Sequence, residues 1–579
     1  MMRKSIAAAC LALIAGLGPA IAQEKRATDL VGLWEAVRTF GPKVEGPLLL
    51  IERDGKLVAD VAGFSVPVAT RGPEYTFELP DGKGWFRGRK SARGDEIAGF
   101  WIQPGDWKYA SPLTLRKVGA YWRGEVKVLE DRLSYYLPVT RAQDGALATY
   151  LRNPERNFGI FNQVKSITVQ EGKVSLVGNR RGQKDQKTLF EGRVDDEKLR
   201  VQFPGMGGEF EFRKVDEEVA NAFYPRGRAP PPYRYAKPME RDDGWPTATL
   251  DEVGMSRAAI ETFIQRVIDT PMSSVSASQI HSILIARRGK LVLEEYFHGH
   301  HRDQPHDTRS AGKSLAATVV GAAMQAGIDV SPATPVYQTM LGTLPADLEP
   351  RKRAMKLEHL LTMTGGHFCD DGNPDAPGNE DAMQDQQKER DWFRFILALP
   401  MDRTPGEKIV YCSIDAHLAG GVLAKAAREP LVELFDRLVA RPLGFGPYYL
   451  NLAPTGEAYM GGGSYLLPRD FLKVAQLMVN EGSWKGQRIV SREWALKSTA
   501  ALRDLSPRQQ YGYLWNSVEY PYRGRKVRAF FAGGNGGQIF MGIPELELAI
   551  AFTGGNYADA SLFIPQRSLV PEQILPALQ

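Results

Sequence analysis

The fold of the larger part of this chain is decided by one stretch, 306-HDTRSAGKSLAATVV-320, which allows two interpretations. Its Gly312-Lys313-Ser314 resembles the end of a phosphate-binding loop. Such a loop needs a glycine at the position that Asp307 occupies, and an acidic side chain there would repel phosphate. The phosphate-loop interpretation therefore fails. The alternative is a nucleophile, Ser310, followed three residues later by Lys313.

Helical spacing favours the second interpretation. The run that follows, SLAATVVGAAMQAG, is rich in alanine and predicts a helix. Residues three apart share a helix face, so Lys313 would lie beside the Ser310 hydroxyl. A serine hydroxyl needs a neighbour to take its proton, and a lysine can do this if burial and nearby positive groups lower its pKa. The free N–H groups at the helix start would favour the developing negative charge.

Later segments contain further candidate site residues. The segment 409-IVYCSIDAHLAGGVLAKAA-427 places Tyr411 and Ser413 just before another predicted helix. The segment 530-FFAGGNGGQIFMGIPELELAIAFTGGNY-557 places a glycine cluster at the turn of a terminal hairpin. With LEHLLTMTGG (357–366) and GGGSYLLPRDFLKVAQLMVNEG (461–482), their order and spacing complete a pattern. Over about 246–579 the chain resembles the serine β-lactamase/penicillin-binding superfamily, specifically the class C-like serine hydrolases and esterases.

This resemblance implies an α/β domain, in which an antiparallel sheet is flanked by helices and a helical subdomain is inserted. It also implies three catalytic roles. Ser310 would be the acylated nucleophile, Lys313 would activate it, and Tyr411 would accept or donate a proton, alone or with Lys313. Ser413 stands where many relatives have asparagine.

The third element of the family departs from the usual pattern. Where relatives often have Lys-Thr-Gly or His-Thr-Gly, this chain has Ala532-Gly533-Gly534, which supplies no cation. That weakens the case for recognition of a β-lactam carboxylate. Backbone N–H groups survive any change of side chain, so an oxyanion hole would pair the Ser310 amide with one near Asn535. The candidate substrate- or oxyanion-binding residues are Ser413, Gly534, Asn535 and Gly536.

The expected activity is hydrolysis of an ester or amide through an acyl-enzyme, without a metal or organic cofactor. The expected partner is a small-molecule or peptide substrate. Nucleic acid is not expected, because no basic stripe is present. A β-lactamase or penicillin-binding-type peptidase is the alternative within the family. The alternative of another class is a non-catalytic receptor that binds its ligand through an N-terminal β domain.

The domain organisation follows from local patterns. Residues 27–215 are predicted to be all-β, an antiparallel barrel or sandwich, because short β-rich runs alternate with turns such as Asp54-Gly55, Glu171-Gly172 and Asp195-Asp196. Residues 216–245 are rich in proline and arginine and predict an extended linker. Residues 246–579 form the hydrolase-like domain.

The N-terminus predicts export. Arg3 and Lys4 precede an apolar run that ends in Ala-Ile-Ala, which is typical of a signal peptide over residues 1–22. The expected location is the periplasm or the exterior, with no transmembrane span after cleavage. An anchored form through Cys10 is a minority alternative. Without residues 1–22 the formal charge falls from +5 to +3, and Cys369 and Cys412 remain, either bridged or as two buried thiols. An oxidising compartment favours the disulfide.

Two polar segments contain residues of the types that bind metal ions. The segment 298-HGHHRDQPH-306 holds four of the eight histidines, but its spacing matches no common zinc pattern, so a polar loop is predicted. The segment 370-DDGNPDAPGNED-381 fails the calcium-loop template, because Ala376 and Ala382 stand where glycine and glutamate are required. It is predicted to be a loop at the mouth of the site. A Cys369–Cys412 bridge would fasten it and hold Tyr411.

Overall fold

The structure is a computed structural model that describes residues 30–41, 44–105, 107–195, 197–217 and 220–579. The predicted signal peptide (1–22), with Cys10, lies outside these residues, as does Asp196 of one predicted turn. Within the described ranges, no helix combines the length and apolar character needed to cross a bilayer.

The N-terminal region is built of antiparallel strands. In chain order they are β1 (Gly32–Phe40), β2 (Gly46–Arg53), β3 (Lys56–Val61), β4 (Phe64–Pro67), β5 (Ala69–Arg71), β6 (Glu74–Glu78), β7 (Trp85–Lys90), β8 (Glu96–Gln103), β9 (Lys108–Val118), β10 (Tyr121–Val126), β11 (Asp131–Arg141), β12 (Leu147–Ala148), β13 (Asn162–Gln170), β14 (Lys173–Arg180), β15 (Lys187–Asp195), β16 (Lys198–Phe203) and β17 (Gly208–Val215). One short helix, α1 (Phe158–Phe161), precedes β13.

These strands form two structures rather than one. Strands β1 and β11 to β17 close into a barrel, and β2 to β10 form a separate sheet inserted between the first two barrel strands. The barrel is filled by aromatic side chains; Tyr135 stacks on Phe203 with ring centroids 4.6 Å apart. Trp34 and Trp101 lie in the two cores, each 1% exposed. The turn residues of the hairpins therefore predicted the strands correctly, but they did not predict that the sheet of β2 to β10 is inserted into the barrel sequence.

The segment 216–245 contains no long helix or strand in its described residues, and it is anchored to the domain that follows. The Tyr233 hydroxyl donates to Glu295 at 2.5 Å, and the Trp245 indole donates to the Arg469 carbonyl at 3.1 Å. Its position is therefore fixed by side-chain contacts rather than by backbone ladders.

The C-terminal domain contributes the remaining elements. The helices are α2 (Arg257–Ile268), α3 (Lys313–Gln325), α4 (Val336–Leu341), α5 (Pro350–Ala354), α6 (Leu357–Leu361), α7 (Glu380–Asp385), α8 (Trp392–Ala398), α9 (Ser413–Ala427), α10 (Leu431–Phe435), α11 (Pro468–Val479) and α12 (Arg492–Ser498). The strands are β18 (Ile280–Arg287), β19 (Lys290–Tyr296), β20 (His306–Asp307), β21 (Leu450–Leu452), β22 (Tyr465–Leu466), β23 (Ser483–Trp484), β24 (Gln487–Arg488), β25 (Arg503–Ser506), β26 (Gln509–Tyr511), β27 (Asn516–Tyr522), β28 (Arg525–Gly534), β29 (Gln538–Ile543) and β30 (Leu548–Gly554).

The main sheet is completed by both ends of this domain. Its order is β19-β18-β30-β29-β28-β27-β26-β25, so the first hairpin pairs with the last strand. Helix α3 packs on α9 between the sheet and the inserted helices, and ten of its first eleven residues carry apolar or small side chains into the core. The predicted fold class, an all-β N-terminal region and an α/β domain with an antiparallel sheet and helices, is confirmed.

A short ladder joins the two halves of the molecule. Strand β21 of the C-terminal domain pairs antiparallel with β9 of the inserted sheet, with Leu450 opposite Ala110 and Leu452 opposite Lys108. Beside this ladder, the rings of Tyr109 and Tyr465 meet edge to face at 5.6 Å. The inserted sheet therefore includes a strand that comes from the other domain.

Candidate active site

Ser310 and Lys313 meet at the start of α3. A short 3-10 turn, Arg309–Gly312, runs directly into the helix. The Lys313 Nζ lies 3.0 Å from the Ser310 Oγ and donates to the Gly461 carbonyl at 2.6 Å. Lys313 is 1% exposed, whereas Ser310 is half-buried and so can be reached from outside. The spacing that suggested a shared helix face does bring the two groups together.

The turn that carries Ser310 is held from both sides. Arg309 adopts a φ of +46°, and its backbone N–H donates to the Asp307 carboxylate at 2.9 Å. A side-chain Cβ at Gly534 would lie 2.4 Å from the Thr308 carbonyl oxygen, and one at Gly462 would lie 2.4 Å from that of Arg309. Glycine is required at both positions, because only glycine lets the backbone approach the turn so closely.

Tyr411 completes the constellation. The Lys313 Nζ lies 5.1 Å from the centroid of the Tyr411 ring, which is partly buried at the end of the segment before α9. The structure thus brings together the three residues to which the resemblance assigned catalytic roles. They come from two places, a helix start and the segment preceding another helix.

A disulfide lies beside Tyr411. Cys369 and Cys412 are joined, with Cα atoms 5.9 Å apart. The Asp371 N–H donates to the Tyr411 carbonyl at 3.0 Å, so the loop after Cys369 is fastened to the backbone of the tyrosine. The predicted bridge is therefore present, and it lies where it can restrain Tyr411.

Ser413 is bonded to an acid of the neighbouring loop. Its hydroxyl donates to the Asp371 carboxylate at 2.7 Å, and its backbone N–H donates to the same oxygen at 2.8 Å. The residue is fully buried, and the Lys313 amine hydrogen-bonds Ser310 and Gly461. Ser413 thus holds Asp371 in place, and a role for it in binding substrate stays a prediction.

Tyr411 and two acids raise the pKa of Lys313. Burial acts to lower this pKa, but attraction to Tyr411, and then to Glu380 and Asp371, outweighs burial, so the pKa is raised. Lys313 therefore holds its proton at neutral pH, contrary to the lowered pKa that the sequence suggested. The two acids, which belong to the segment compared with a calcium loop, add to the larger effect of Tyr411.

Glu380 is itself held in place by a buried tyrosine. The Tyr459 hydroxyl donates to the Glu380 carboxylate at 2.5 Å. Burial, with the charge of Glu380, raises the pKa of Tyr459 well above its usual value, so it remains a donor. Neither Tyr459 nor the charge effect of Asp371 was foreseen. The acidic composition of 370–381 was the available signal, but nothing local indicated which side chains turn inward.

The glycine-rich turn after β28 contacts the nucleophile turn on one side and the segment after β30 on the other. Gly534 packs against the nucleophile turn. Asn535 is exposed, and its side-chain oxygen accepts the Ala558 N–H at 2.9 Å, while Gly536 forms a β-bridge with Asn556. Of the three predicted residues, Gly534 therefore lies nearest to Ser310, and the other two tie the turn to the segment after β30.

A group of possible metal ligands lies close to the nucleophile turn. The imidazoles of His281, His300 and His306 lie close enough together to share one ion. Two of these histidines belong to the segment that was predicted to be a polar loop.

An antiparallel sheet covered by helices, with a Ser-x-x-Lys turn at a helix start, defines the class of β-lactamase-fold hydrolases. Residues 265–556, half of the chain, match the family model described as Beta-lactamase. The chain belongs to this family, whose members are serine hydrolases that include esterases, amidases and peptidases.

Individual relatives are distant. The 6-aminohexanoate-dimer hydrolase of Paenarthrobacter ureafaciens is 26% identical over 220 residues, which cover 36% of this chain and 54% of that protein. The chain thus matches about half the length of this curated relative. Among solved structures, EstCE1, a hydrolase with promiscuous acyltransferase activity, has a TM-score of 0.43 and 17% identity and covers 55% of this chain and 97% of its own. A penicillin binding protein from Bacillus halodurans has a TM-score of 0.39 and 15% identity, covering 50% and 96%.

Proposed function

We propose that this protein is an exported serine hydrolase that cleaves ester or amide bonds through an acyl-enzyme on Ser310. The observation that carries the proposal is the 3.0 Å contact between the Lys313 Nζ and the Ser310 Oγ at a helix start, with Tyr411 alongside. Acyl transfer needs a nucleophile and a neighbouring group that takes its proton, and Lys313 and Tyr411 are the neighbours of Ser310 that could do so.

The raised pKa of Lys313 determines how the roles are divided. Because an ammonium group cannot accept a proton, Tyr411 acts as the phenolate, and its oxygen takes the proton from Ser310 as the Ser310 Oγ attacks the carbonyl carbon. Lys313 donates to the Ser310 oxygen and stabilises negative charge on Tyr411. When the tetrahedral intermediate collapses, Tyr411 returns the proton to the leaving group. Water then attacks the ester carbonyl by the same route in reverse.

The negative charge of the intermediate needs backbone donors. Ser310 lies in the first turn before α3, where free N–H groups and the helix dipole favour an anion. Gly534 approaches the same turn from β28. A pair of such donors, one from each side, is worth roughly 3–4 kcal/mol per donor to the transition state.

The substrate is proposed to be uncharged near the scissile bond. Ala532-Gly533-Gly534 offers no cation for a carboxylate, which disfavours β-lactams and peptides that end close to the cleaved bond. The name of the Paenarthrobacter relative makes linear amides reasonable test substrates alongside esters. Export is supported by the N-terminal pattern and by the disulfide, which persists in oxidising compartments.

Covalent labelling tests the proposal. The mature protein is incubated with a fluorophosphonate, and the expected result is one adduct per chain on Ser310, absent in Ser310→Ala. The variant should unfold at the same temperature as the wild type, because it loses one oxygen at a half-buried position. An unlabelled wild type, or labelling that persists in the folded variant, would refute the nucleophile.

A substrate panel then assigns the bond type. p-Nitrophenyl esters, the linear dimer of 6-aminohexanoate, D-amino-acid amides and nitrocefin are compared by kcat/KM. Esters and neutral amides are expected to exceed nitrocefin. Preference for nitrocefin would instead favour the β-lactamase alternative. Labelling without turnover of any of them would favour a slowly deacylating, penicillin-binding type.

A further inference from the structure

Three histidines converge behind the nucleophile turn. His281 lies on β18, His300 lies in the loop after β19, and His306 lies on β20, four residues before Ser310. One ring nitrogen from each lies within 4.8 Å of the others. The closest pair is the His281 Nδ1 and the His306 Nε2, 2.9 Å apart. The sequence did not predict that His281 joins the two loop histidines, because it is 19 residues from His300 and belongs to strand β18.

Hydrogen bonds orient two of the ring nitrogens toward each other. The His306 Nδ1 donates to the Asp307 carbonyl oxygen at 3.1 Å, so the His306 Nε2 is the unprotonated nitrogen and accepts from the His281 Nδ1 at 2.9 Å. A metal ion would take the place of the proton that these two nitrogens share. Metal-bound histidines nearly always have such an outer partner on the second nitrogen. His281 is 1% exposed, and its Nε2 has no hydrogen-bond partner in the described part of the chain. A buried polar atom without a partner needs an explanation.

A large cavity opens onto the cluster. It has a volume of about 750 Å³, lies between the barrel and the C-terminal domain, and is lined by all three histidines. Arg132 and Glu155 contribute from the barrel side, and Asp303 and Asp307 from the other. An ion held by the imidazoles would therefore keep one side open to the cavity, as ions with three protein ligands do at reactive sites.

Binding requires one ring to move. In tetrahedral zinc coordination with bonds of about 2.0–2.1 Å, ligand nitrogens stand roughly 3.3–3.4 Å apart. The observed separations, 2.9 Å at the closest and up to 4.8 Å, lie on both sides of that value. The His281 and His300 rings are stacked at 3.9 Å with an interplanar angle of 15°, so their lone pairs run parallel. His300 can turn, because it is half-buried in a loop and follows Gly299, whose φ is +76°.

The charges around the cluster are mixed. Arg152 is fully buried and close enough to lower the pKa of His281, so its charge opposes a second cation. Five carboxylates and four basic side chains line the cavity, and two of the carboxylates, Asp303 and Asp307, are already paired with Arg241 and Arg309.

We propose that His281, His300 and His306 form a binding site for a divalent transition metal of the Zn²⁺ type, with a coordination position open to the cavity. The site is separate from the serine chemistry, although Asp307, next to His306, holds the backbone of Arg309. The metal would thus tie the strand before the nucleophile to β18.

Metal binding by the mature full-length protein tests this. The protein is stripped of metal with a chelator and dialysed against Zn²⁺, and its zinc content is then measured. In a second experiment the stripped protein is titrated with Co²⁺, and the absorption bands typical of tetrahedral Co²⁺ are recorded. One equivalent is expected. Loss of a group that only hydrogen-bonds a metal ligand lowers metal affinity about 10–100-fold. His300→Gln and His306→Gln each remove a ligand itself, so each should lower the affinity for Zn²⁺ by more than that. His301→Gln is the matched control, because this exposed histidine of the same loop is not in the cluster.

The outcomes are decisive in either direction. Wild-type protein that binds neither Zn²⁺ nor Co²⁺ overturns the proposal, and so do folded His300 and His306 variants that bind as tightly as His301→Gln. The variants are compared with the wild type by thermal unfolding in chelator, where equal stability is expected. X-ray absorption of the zinc-loaded wild type needs no variant. It should show three imidazole nitrogens at about 2.0–2.1 Å, and a shell without them refutes the site.

Discussion

Two lysines of this protein are buried alike and partnered differently. Lys473 on α11 donates to the Asp470 carboxylate, three residues earlier, at 2.7 Å and to the Gly444 carbonyl at 2.7 Å. Lys313 at the start of α3 donates to the Ser310 hydroxyl, also three residues earlier, and to the Gly461 carbonyl. Both side chains are almost completely removed from water.

The partner three residues earlier distinguishes the two lysines: Lys473 contacts a carboxylate, whereas Lys313 contacts the hydroxyl of the proposed nucleophile. The positive charge of Lys473 is balanced by the Asp470 carboxylate that it contacts, so the pair has little electrostatic effect on more distant groups. Among the described residues, no carboxylate hydrogen-bonds Lys313, and Asp371 and Glu380 act on it without touching it. In the proposed mechanism the ammonium keeps its proton and acts on Ser310 and Tyr411. Because a buried charge is costly without compensation, the position of the compensating acids decides the role of the lysine.

The largest effect is expected for Lys313→Met. Methionine has a similar length and no charge, so the acylation rate should fall about 10²–10⁴-fold, the usual contribution of a group that assists proton transfer. Single-turnover labelling by the fluorophosphonate measures this rate. Thermal stability should change less than in Lys473→Met, because the removal of a desolvated ammonium offsets the loss of the cation near Asp371 and no contacting carboxylate is left behind. A variant that acylates at the wild-type rate would remove Lys313 from the mechanism.

Lys473→Met should give the opposite result. Asp470 would be left buried without its cation, which costs about 3–5 kcal/mol of unfolding free energy. Denaturant unfolding measures the loss, while labelling per folded molecule should match the wild type. Adding Asp470→Asn should recover much of the stability, and a double variant no better than the single one would contradict the pairing.

A third buried charged group, Asp415 on α9, is predicted to show the effect of having no contacting cation. Burial raises its pKa from 3.8 to about 7, although the Gly365 N–H acts against this. A raised pKa means that the protonated form stabilises the fold at low pH and that this stability is lost as pH rises towards 7. The loss is up to about 4 kcal/mol.

Asp415→Asn should flatten this pH dependence. Asparagine mimics the protonated acid and can still accept the Gly365 N–H, so the variant should be the more stable protein at pH 8 and similar to the wild type at pH 4. Melting temperatures across this range provide the measurement. Curves for the two proteins that run parallel would show that Asp415 does not titrate as expected.

Asp371→Asn should have the smallest effect. It removes one of the charges that raise the pKa of Lys313, so that pKa falls and the alkaline limb of the activity profile moves to lower pH. The side chain can still accept from Ser413. The loss in transition-state stabilisation should be about 1 kcal/mol, or roughly fivefold in rate. An unmoved alkaline limb would separate Asp371 from the lysine.

The parts of the site that sequence predicted are the local ones. Ser310 and Lys313 are three apart on a helix start, a relation that helical periodicity fixes, and Tyr411 came from resemblance in order and spacing. The inward turn of Asp371, the fully buried position of Ser413 and the inclusion of His281 with two loop histidines depend on chain segments far apart. No local pattern encodes such contacts.

The fold shows the same division. Alternation and turn residues indicated β strands throughout 27–215, because each hairpin is a local unit. That β2 to β10 interrupt a barrel, and that β21 joins them, depends on pairings across tens to hundreds of residues. The two cysteines are an intermediate case, since the compartment favoured a bridge but only the fold put them 5.9 Å apart.

The β21–β9 ladder makes each half contribute a strand edge that the other half covers. A shortened chain starting at residue 246 would present Leu450 and Leu452 on a bare strand edge, with Tyr465 stripped of its aromatic neighbour. Unprotected edges recruit other chains, so such a fragment should aggregate even though its nucleophile is intact. The N-terminal region thus protects this edge from pairing with other chains. Proteolysis between the two halves should therefore release no soluble hydrolase fragment.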